Sequence, residues 1–129
     1  MIAAAIEACG HEVVDLGTHS TDSVDYPDIA AEVAASVSSG ESDKGVLMCG
    51  TGIGVSIAAN KVNGIRAAVV HDAETARLSS QHNNANIVCL PGNTLDEAGI
   101  NEIIKAWLET DFEGGRHARR VEKIHKLES

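Results

Sequence analysis

Two kinds of hydrophobic pattern alternate along the chain. Short runs dense in Val, Ile and Leu stand at 12–16 (EVVDL), 44–49 (KGVLMC), 65–70 (IRAAVV) and 86–90 (NIVCL), most of them bounded by Gly, Asn or Asp. Runs of this length and composition predict strands buried on both faces. Between them lie longer stretches whose apolar residues recur every three or four positions, the helical period. In YPDIAAEVAASVSS (26–39), Ile29, Val33 and Val37 form one stripe, Pro27 suits the first turn and Gly40 the stop. Further helices are predicted over 54–62, 73–83, 96–110 and 116–128. Strand–helix alternation of this kind predicts an α/β chain with a parallel sheet and helices on both faces. The chain opens inside a helical stripe, with Ile2, Ile6 and Cys9 ahead of Gly10, so a strand and its loop are expected to precede Met1.

Composition narrows this picture. The 129 residues suffice for one domain with its own core, and no repeat or interior linker divides them. Apolar residues make up 43% of the chain, with only one Trp, one Tyr and one Phe, so the core must be aliphatic. A net charge of −9 argues against a nucleic-acid binder, whose footprint is basic. No stretch has the ~20 apolar residues of a membrane span, and no secretory signal is visible, so a cytosolic protein is expected. Cys9, Cys49 and Cys89 are widely spaced, with no Cys-x-x-Cys pair, which points to neither a disulfide framework nor a zinc knuckle. Cys9 and Cys89 read as small buried hydrophobes.

Cys49 stands apart because Gly50, Gly52 and Gly54 follow it, between a strand and a helix. Such a turn aims backbone N–H groups at one spot, at the positive end of a helix and the carboxyl end of a parallel sheet. The loop matches neither nucleotide fingerprint: Val55 follows the last glycine where a Lys would stand, and the third glycine comes two residues after the second instead of three. Taken alone, Gly-x-Gly-x-Gly is equally the mark of a tight structural turn. The adjacent thiol adds chemistry. A helix N-terminus favours its thiolate, which serves as a nucleophile or a general base. Nothing else in the chain supports acyl or disulfide chemistry. A base beside N–H donors suits an enediolate, whose developing O⁻ the amides would hold; the plain alternative is a buried strand-end Cys.

CGTGIGVSIAANKVNGIRAA (49–68) resembles the ribose-5-phosphate isomerase B / galactose-6-phosphate isomerase family of sugar-phosphate isomerases. So do VVDLGTHSTDSVDYPDIA (13–30), RLSSQHNNANIV (77–88), AWLETDFEGGRH (106–117) and RRVEKI (119–124), in family order and across nearly the whole chain. The resemblance implies a Rossmann-like α/β/α sandwich that interconverts an aldose phosphate and a ketose phosphate, ribose 5-phosphate and ribulose 5-phosphate being the usual pair. It implies no metal and no organic cofactor, and a homodimer or tetramer whose sites form between subunits. Cys49 falls on the base that moves a proton between sugar carbons 1 and 2. Gly50, Thr51, Gly52 and Gly54 fall on the loop that steadies the enediolate, His82 on the ring-opening residue with Asn83 beside it, Tyr26 on the pocket wall, and Arg116 and Arg120 on the phosphate positions. Residue chemistry agrees: ring opening wants an acid/base group near neutral pH, and a phosphate dianion suits the donor fork of Arg. Arg116 and Arg120, four apart, share a helix face. Apart from the resemblance, that segment reads as a solvated basic helix end. His11, His19, His71, His117 and His125 read as background.

Two departures stand out. Family members begin with a strand ending in an Asp-His pair that acts in the pocket, and this chain starts after it. Asn93 stands where many relatives carry Arg, which bears on phosphate affinity and sugar preference. Three rivals follow: an isomerase for a hexose 6-phosphate, a non-catalytic sugar-phosphate-binding module, and a nucleotide-binding flavodoxin-like domain, which fits the fold but lacks the loop spacing.

Overall fold

The computed structural model describes residues 2–16 and 25–129. In chain order the elements are α1 (Ile2–Ala8), α2 (Tyr26–Ser38), β1 (Gly45–Cys49), α3 (Ile53–Asn60), β2 (Ala67–Val69), α4 (Ala73–Gln81), β3 (Ile87–Pro91), α5 (Glu97–Leu108) and α6 (Arg116–His125). The strands form a parallel sheet in the order β1-β3-β2. Gly45 pairs with Ile87 and Cys49 with Pro91, while Ala67 also faces Ile87. β3 is central, and all five of its residues are buried.

Alternation along the strands divides the core in two. Val88 and Leu90 point to one face, where Val70 and the α5 residues Ile100, Ile103, Ile104 and Trp107 pack with Ala5 of α1 and Ala76 of α4. Leu47, Ile87 and Cys89 point to the other, against Ala30, Ala34 and Val37 of α2 and Val55 and Ala59 of α3. Two aliphatic layers on one sheet give the three-layer sandwich that the pattern predicts. Small residues let α2 and α3 lie close to the strands: Ala30, Ala34 and Ala59 have no exposed surface.

Helix ends follow local chemistry. Pro27 occupies the first turn of α2, and Gly40 stops that helix with φ +87° and its N–H on the Val37 carbonyl. The Asp72 side chain caps α4 in a reciprocal box with Thr75, and Asp96 caps α5 by accepting from the Gly99 N–H at 2.8 Å. Beyond the His82 cap of α4, Asn84 adopts φ +47°, a left-handed conformation that Asn tolerates better than most residues.

Two expectations are corrected. The run at 12–16 forms no strand. β1 and β2 each pair only with β3, so neither open edge of the described sheet takes this segment as a neighbour, and a β-type sequence without a ladder partner stays irregular. Cys9 is only half-buried, because it lies at the frayed end of α1 beside the turn at Gly10. His19 and the loop around it lie outside the described residues.

Candidate active site

β1 ends at Cys49, and α3 begins four residues later. The turn between them is made by Gly52, the N-cap of α3, at φ +76°, where a Cβ would stand 3.2 Å from the Cys89 carbonyl oxygen. Glycine is required there on both counts. The Thr51 hydroxyl accepts from the Ile53 N–H at 3.2 Å and tightens the bend. The Gly92 N–H donates to the Cys49 carbonyl at 2.8 Å and the Asn93 N–H to the Gly50 carbonyl at 3.0 Å, so the end of β3 braces the loop. A Cβ at Gly50 would meet the Asn93 side chain at 2.8 Å, and one at Gly54 would meet the Tyr26 ring at 2.6 Å. Tyr26 and Asn93 therefore flank the loop on its two sides.

The thiol sits in this cradle, half-buried. Burial alone would push its pKa up. The backbone N–H groups of Val55, Gly52, Thr51 and Gly54 point at the sulfur and outweigh burial, holding Cys49 below the ordinary thiol value. Cys89, two strand positions away on the neighbouring strand, shows what burial does without such donors: its thiol is pushed up to about 12, mainly by burial and further by Cys49. One cysteine is thus poised to be an anion and the other is an inert part of the core.

A second group of residues lies at the opposite end of the sheet. His82 is the C-cap of α4, and the segment after it enters the sheet at its amino edge: the Gly45 N–H donates to the Asn86 carbonyl, and the Asn86 N–H to the Arg66 carbonyl. The Glu113 N–H donates to the Gln81 carbonyl at 3.1 Å, which stitches the segment ahead of α6 to this same corner. His82 stacks on His117 with ring centroids 4.3 Å apart and planes 12° from parallel. Asn83, Arg116 and Arg120 are exposed beside them. The reading of His117 as background is overturned: it is buried, 7% exposed, and packed against His82. Burial first, then the positive neighbours His82 and Arg116, hold its pKa below the ordinary imidazole value against the pull of Glu113. His125 is also engaged, against Arg66 at 2.8 Å and against Glu128. His11 and His71 are exposed.

The expected site residues therefore form two clusters. Cys49, Gly50, Thr51, Gly52, Gly54 and Tyr26 gather at the carboxyl edge of the sheet; His82, Asn83, Arg116 and Arg120 gather at the amino edge. Gly45 and Cys49 mark the two edges on β1, four residues or about 13 Å apart along the strand. The first cluster offers a thiolate with an oxyanion cradle, and the second offers imidazole and cationic donors for a phosphate. One sugar phosphate cannot touch both within one chain.

The family description Ribose/Galactose Isomerase matches residues 1–124. The chain is 47% identical over 119 residues to ribose-5-phosphate isomerase B of Escherichia coli K12, covering 92% of this chain and 80% of that enzyme. Among solved structures, the type B ribose 5-phosphate isomerase of Trypanosoma brucei superposes with a TM-score of 0.96 at 49% identity, over 98% of this chain and 87% of the other. Ribose-5-phosphate isomerase B of Mycoplasma genitalium, solved with bound ribulose 5-phosphate, superposes with a TM-score of 0.93 at 42% identity, over 98% and 84%.

Proposed function

The chain belongs to the ribose/galactose isomerase family, and we propose that it interconverts ribose 5-phosphate and ribulose 5-phosphate, with Cys49 as the base and each site shared between two copies of the chain. The observation that carries the reading is the place of Cys49 at the end of β1, beside the glycine turn whose Gly52 caps α3, where the backbone N–H groups favour its thiolate.

The chemistry follows from the two clusters. His82 helps move the proton from the anomeric hydroxyl to the ring oxygen, which opens the furanose to the aldehyde. The Cys49 thiolate then takes the proton from C2. The C–H electron pair becomes the C1–C2 double bond, and O1 takes up the negative charge. Amides of the Gly50–Gly54 loop hold that oxygen, with Thr51 fixing the loop. The thiol returns its proton to C1 while the proton on O2 passes to O1, so C2 becomes the ketone carbon, C1 the hydroxymethyl carbon, and ribulose 5-phosphate results. Arg116 and Arg120, one turn apart on α6, hold the phosphate, and Tyr26 walls the sugar.

Because the clusters lie at opposite edges of one sheet, a complete site needs the carboxyl edge of one chain against the amino edge of another, and a two-fold dimer builds two such sites at once. The two aliphatic layers share a single sheet, which supports taking residues 1–129 as one domain. Among the described residues no helix is long and apolar enough to cross a membrane, and a cytosolic setting is part of the same reading.

Cys49→Ala is the direct test. With Cys49 as the base, kcat falls by about 10²–10⁴-fold, while ribose 5-phosphate still raises the melting temperature. Full turnover in that variant would remove Cys49 from the mechanism. Sugar-phosphate binding with no C2 proton exchange in the unaltered chain would mark a binding module instead.

A further inference from the structure

Ring opening asks two things of His82: a fixed ring and free nitrogens. One imidazole must take a proton from the anomeric hydroxyl and give one to the ring oxygen. A hydrogen bond that fixed the ring through one nitrogen would occupy that nitrogen. Among the described residues no hydrogen bond reaches the His82 ring, and the Glu113 carboxylate stands 3.9 Å from its Nε2, beyond hydrogen-bond reach. What touches the ring is His117, stacked on it with centroids 4.3 Å apart and planes 12° from parallel. A stack covers a face and leaves open the ring edge, where both nitrogens lie.

The platform is itself fixed. His117 is buried, whereas the His82 side chain is 41% exposed. It is the second residue of α6, and its N–H donates to the Gly114 carbonyl at 3.1 Å. Gly114 and Gly115, at φ +71° and +58°, turn the chain from the Glu113–Gln81 backbone bond into that helix. Burial and the positive neighbours His82, Arg116 and Arg120 favour the neutral form of His117 against the pull of Glu113, so a flat, uncharged ring faces His82. Arg116 and Arg120 stand on either side of His117 in the sequence of α6. The stack therefore ties the ring-opening group to the helix that carries the proposed phosphate donors, and it sets the spacing between the two.

We propose that His117 is a positioning residue for ring opening: its buried imidazole is the platform on which the His82 ring lies, and without it the His82 nitrogens lose their place at the sugar. His117 acts through His82 and touches no reacting atom. The stack stands on geometry alone; its part in ring opening rests on the role given to His82 above.

His117→Ala and His117→Asn remove the platform, and His117→Phe keeps a flat, uncharged ring. On ribose 5-phosphate, kcat of the first two should fall by about 10²-fold, the cost of a misplaced group, with KM nearly unchanged. His117→Phe should recover most of that loss. Ribulose 5-phosphate separates ring opening from proton transfer, because its O5 carries the phosphate and it closes no furanose. Solvent deuterium should therefore enter its C1 as fast in His117→Ala as in the unaltered chain. Proton NMR reads the stack directly: the ring current of the platform moves the His82 ring C–H signals upfield, and that shift should vanish in His117→Ala and persist in His117→Phe. Unchanged kcat in folded His117→Ala or His117→Asn would overturn the proposal. So would deuterium exchange lost in step with kcat, or His82 signals that ignore the substitution. If Cys49→Ala is inactive while His117→Ala turns over normally, only the role of His117 falls. An unaltered chain that neither isomerises nor exchanges would overturn the isomerase reading, and this role with it.

Discussion

The proposed chemistry turns on how differently two cysteines are housed. Cys49 and Cys89 lie on adjacent strands and both face the α2–α3 layer. Cys89 is closed in by aliphatic side chains and stays a thiol; Cys49 meets the start of a helix and is driven toward the thiolate. This sets the pH dependence. With Cys49 as the proposed base its working form is the thiolate, so kcat/KM is expected to fall as pH drops through the Cys49 pKa and to rise to a plateau above it. Because that pKa is depressed, the acid limb of the profile lies below the ordinary thiol range, near 8.5. Iodoacetamide should modify Cys49 with the same apparent pKa, leave Cys89 untouched, and abolish turnover as it reacts. An acid limb at or above the ordinary thiol value would contradict the cradle. The candidate base was legible in the sequence, because a Cys ahead of three alternate glycines announces a thiol at a helix mouth. His117 was not. It sits in a run of Arg, Glu and Lys that reads as solvated, and only the fold brings the end of α4 beneath it.

At the level of elements, the loop from β1 to α3 is built by exclusion as much as by attraction. Gly54 has room for hydrogen alone, because the Tyr26 ring occupies the place of a Cβ. Gly54→Ala is therefore expected to push Tyr26 and the start of α3 apart, and a displacement of about 1 Å in the cradle lowers kcat/KM by about 10²-fold. Trimming the ring in Gly54→Ala with Tyr26→Ala should recover part of the lost melting temperature. Equal activity of Gly54→Ala and the unaltered chain would show that the loop tolerates the shift. A second element test lies away from the site. Asp96→Ala removes the α5 cap and should cost about 1 kcal/mol, or about 4 °C in melting temperature, with kcat unchanged. The helices and three of the four expected strands could be read from periodicity to within a few residues, since their faces answer to local burial. The fourth run, 12–16, could not, because a strand is a property of two segments and the sequence of one does not reveal whether a neighbour's ladder edge is free.

At the scale of the whole molecule, sheet direction decides what one chain can do. Parallel strands put every carboxyl end on one edge. A residue placed after a strand and a residue placed before one are therefore separated by the sheet itself, however near they are in sequence motifs. Cys49 ends β1, and His82 precedes β3, so the proposed site that joins them would need two chains. This makes a prediction no single-chain site can share. Cys49→Ala and His82→Asn should each be nearly inactive as separate homodimers. When the two variants are unfolded together and refolded, statistical pairing makes about half of the dimers mixed. In a mixed dimer both substitutions fall in one shared site and the other site has neither. Activity should therefore return to about a quarter of the unaltered level. If each chain instead held a complete site, the mixture would stay as inactive as its parents. Recovery in the mixture, with the intact Cys49 contributed by one chain and the intact His82 by the other, would also fix which edges meet: the carboxyl edge carrying the thiolate against the amino edge carrying Arg116 and Arg120.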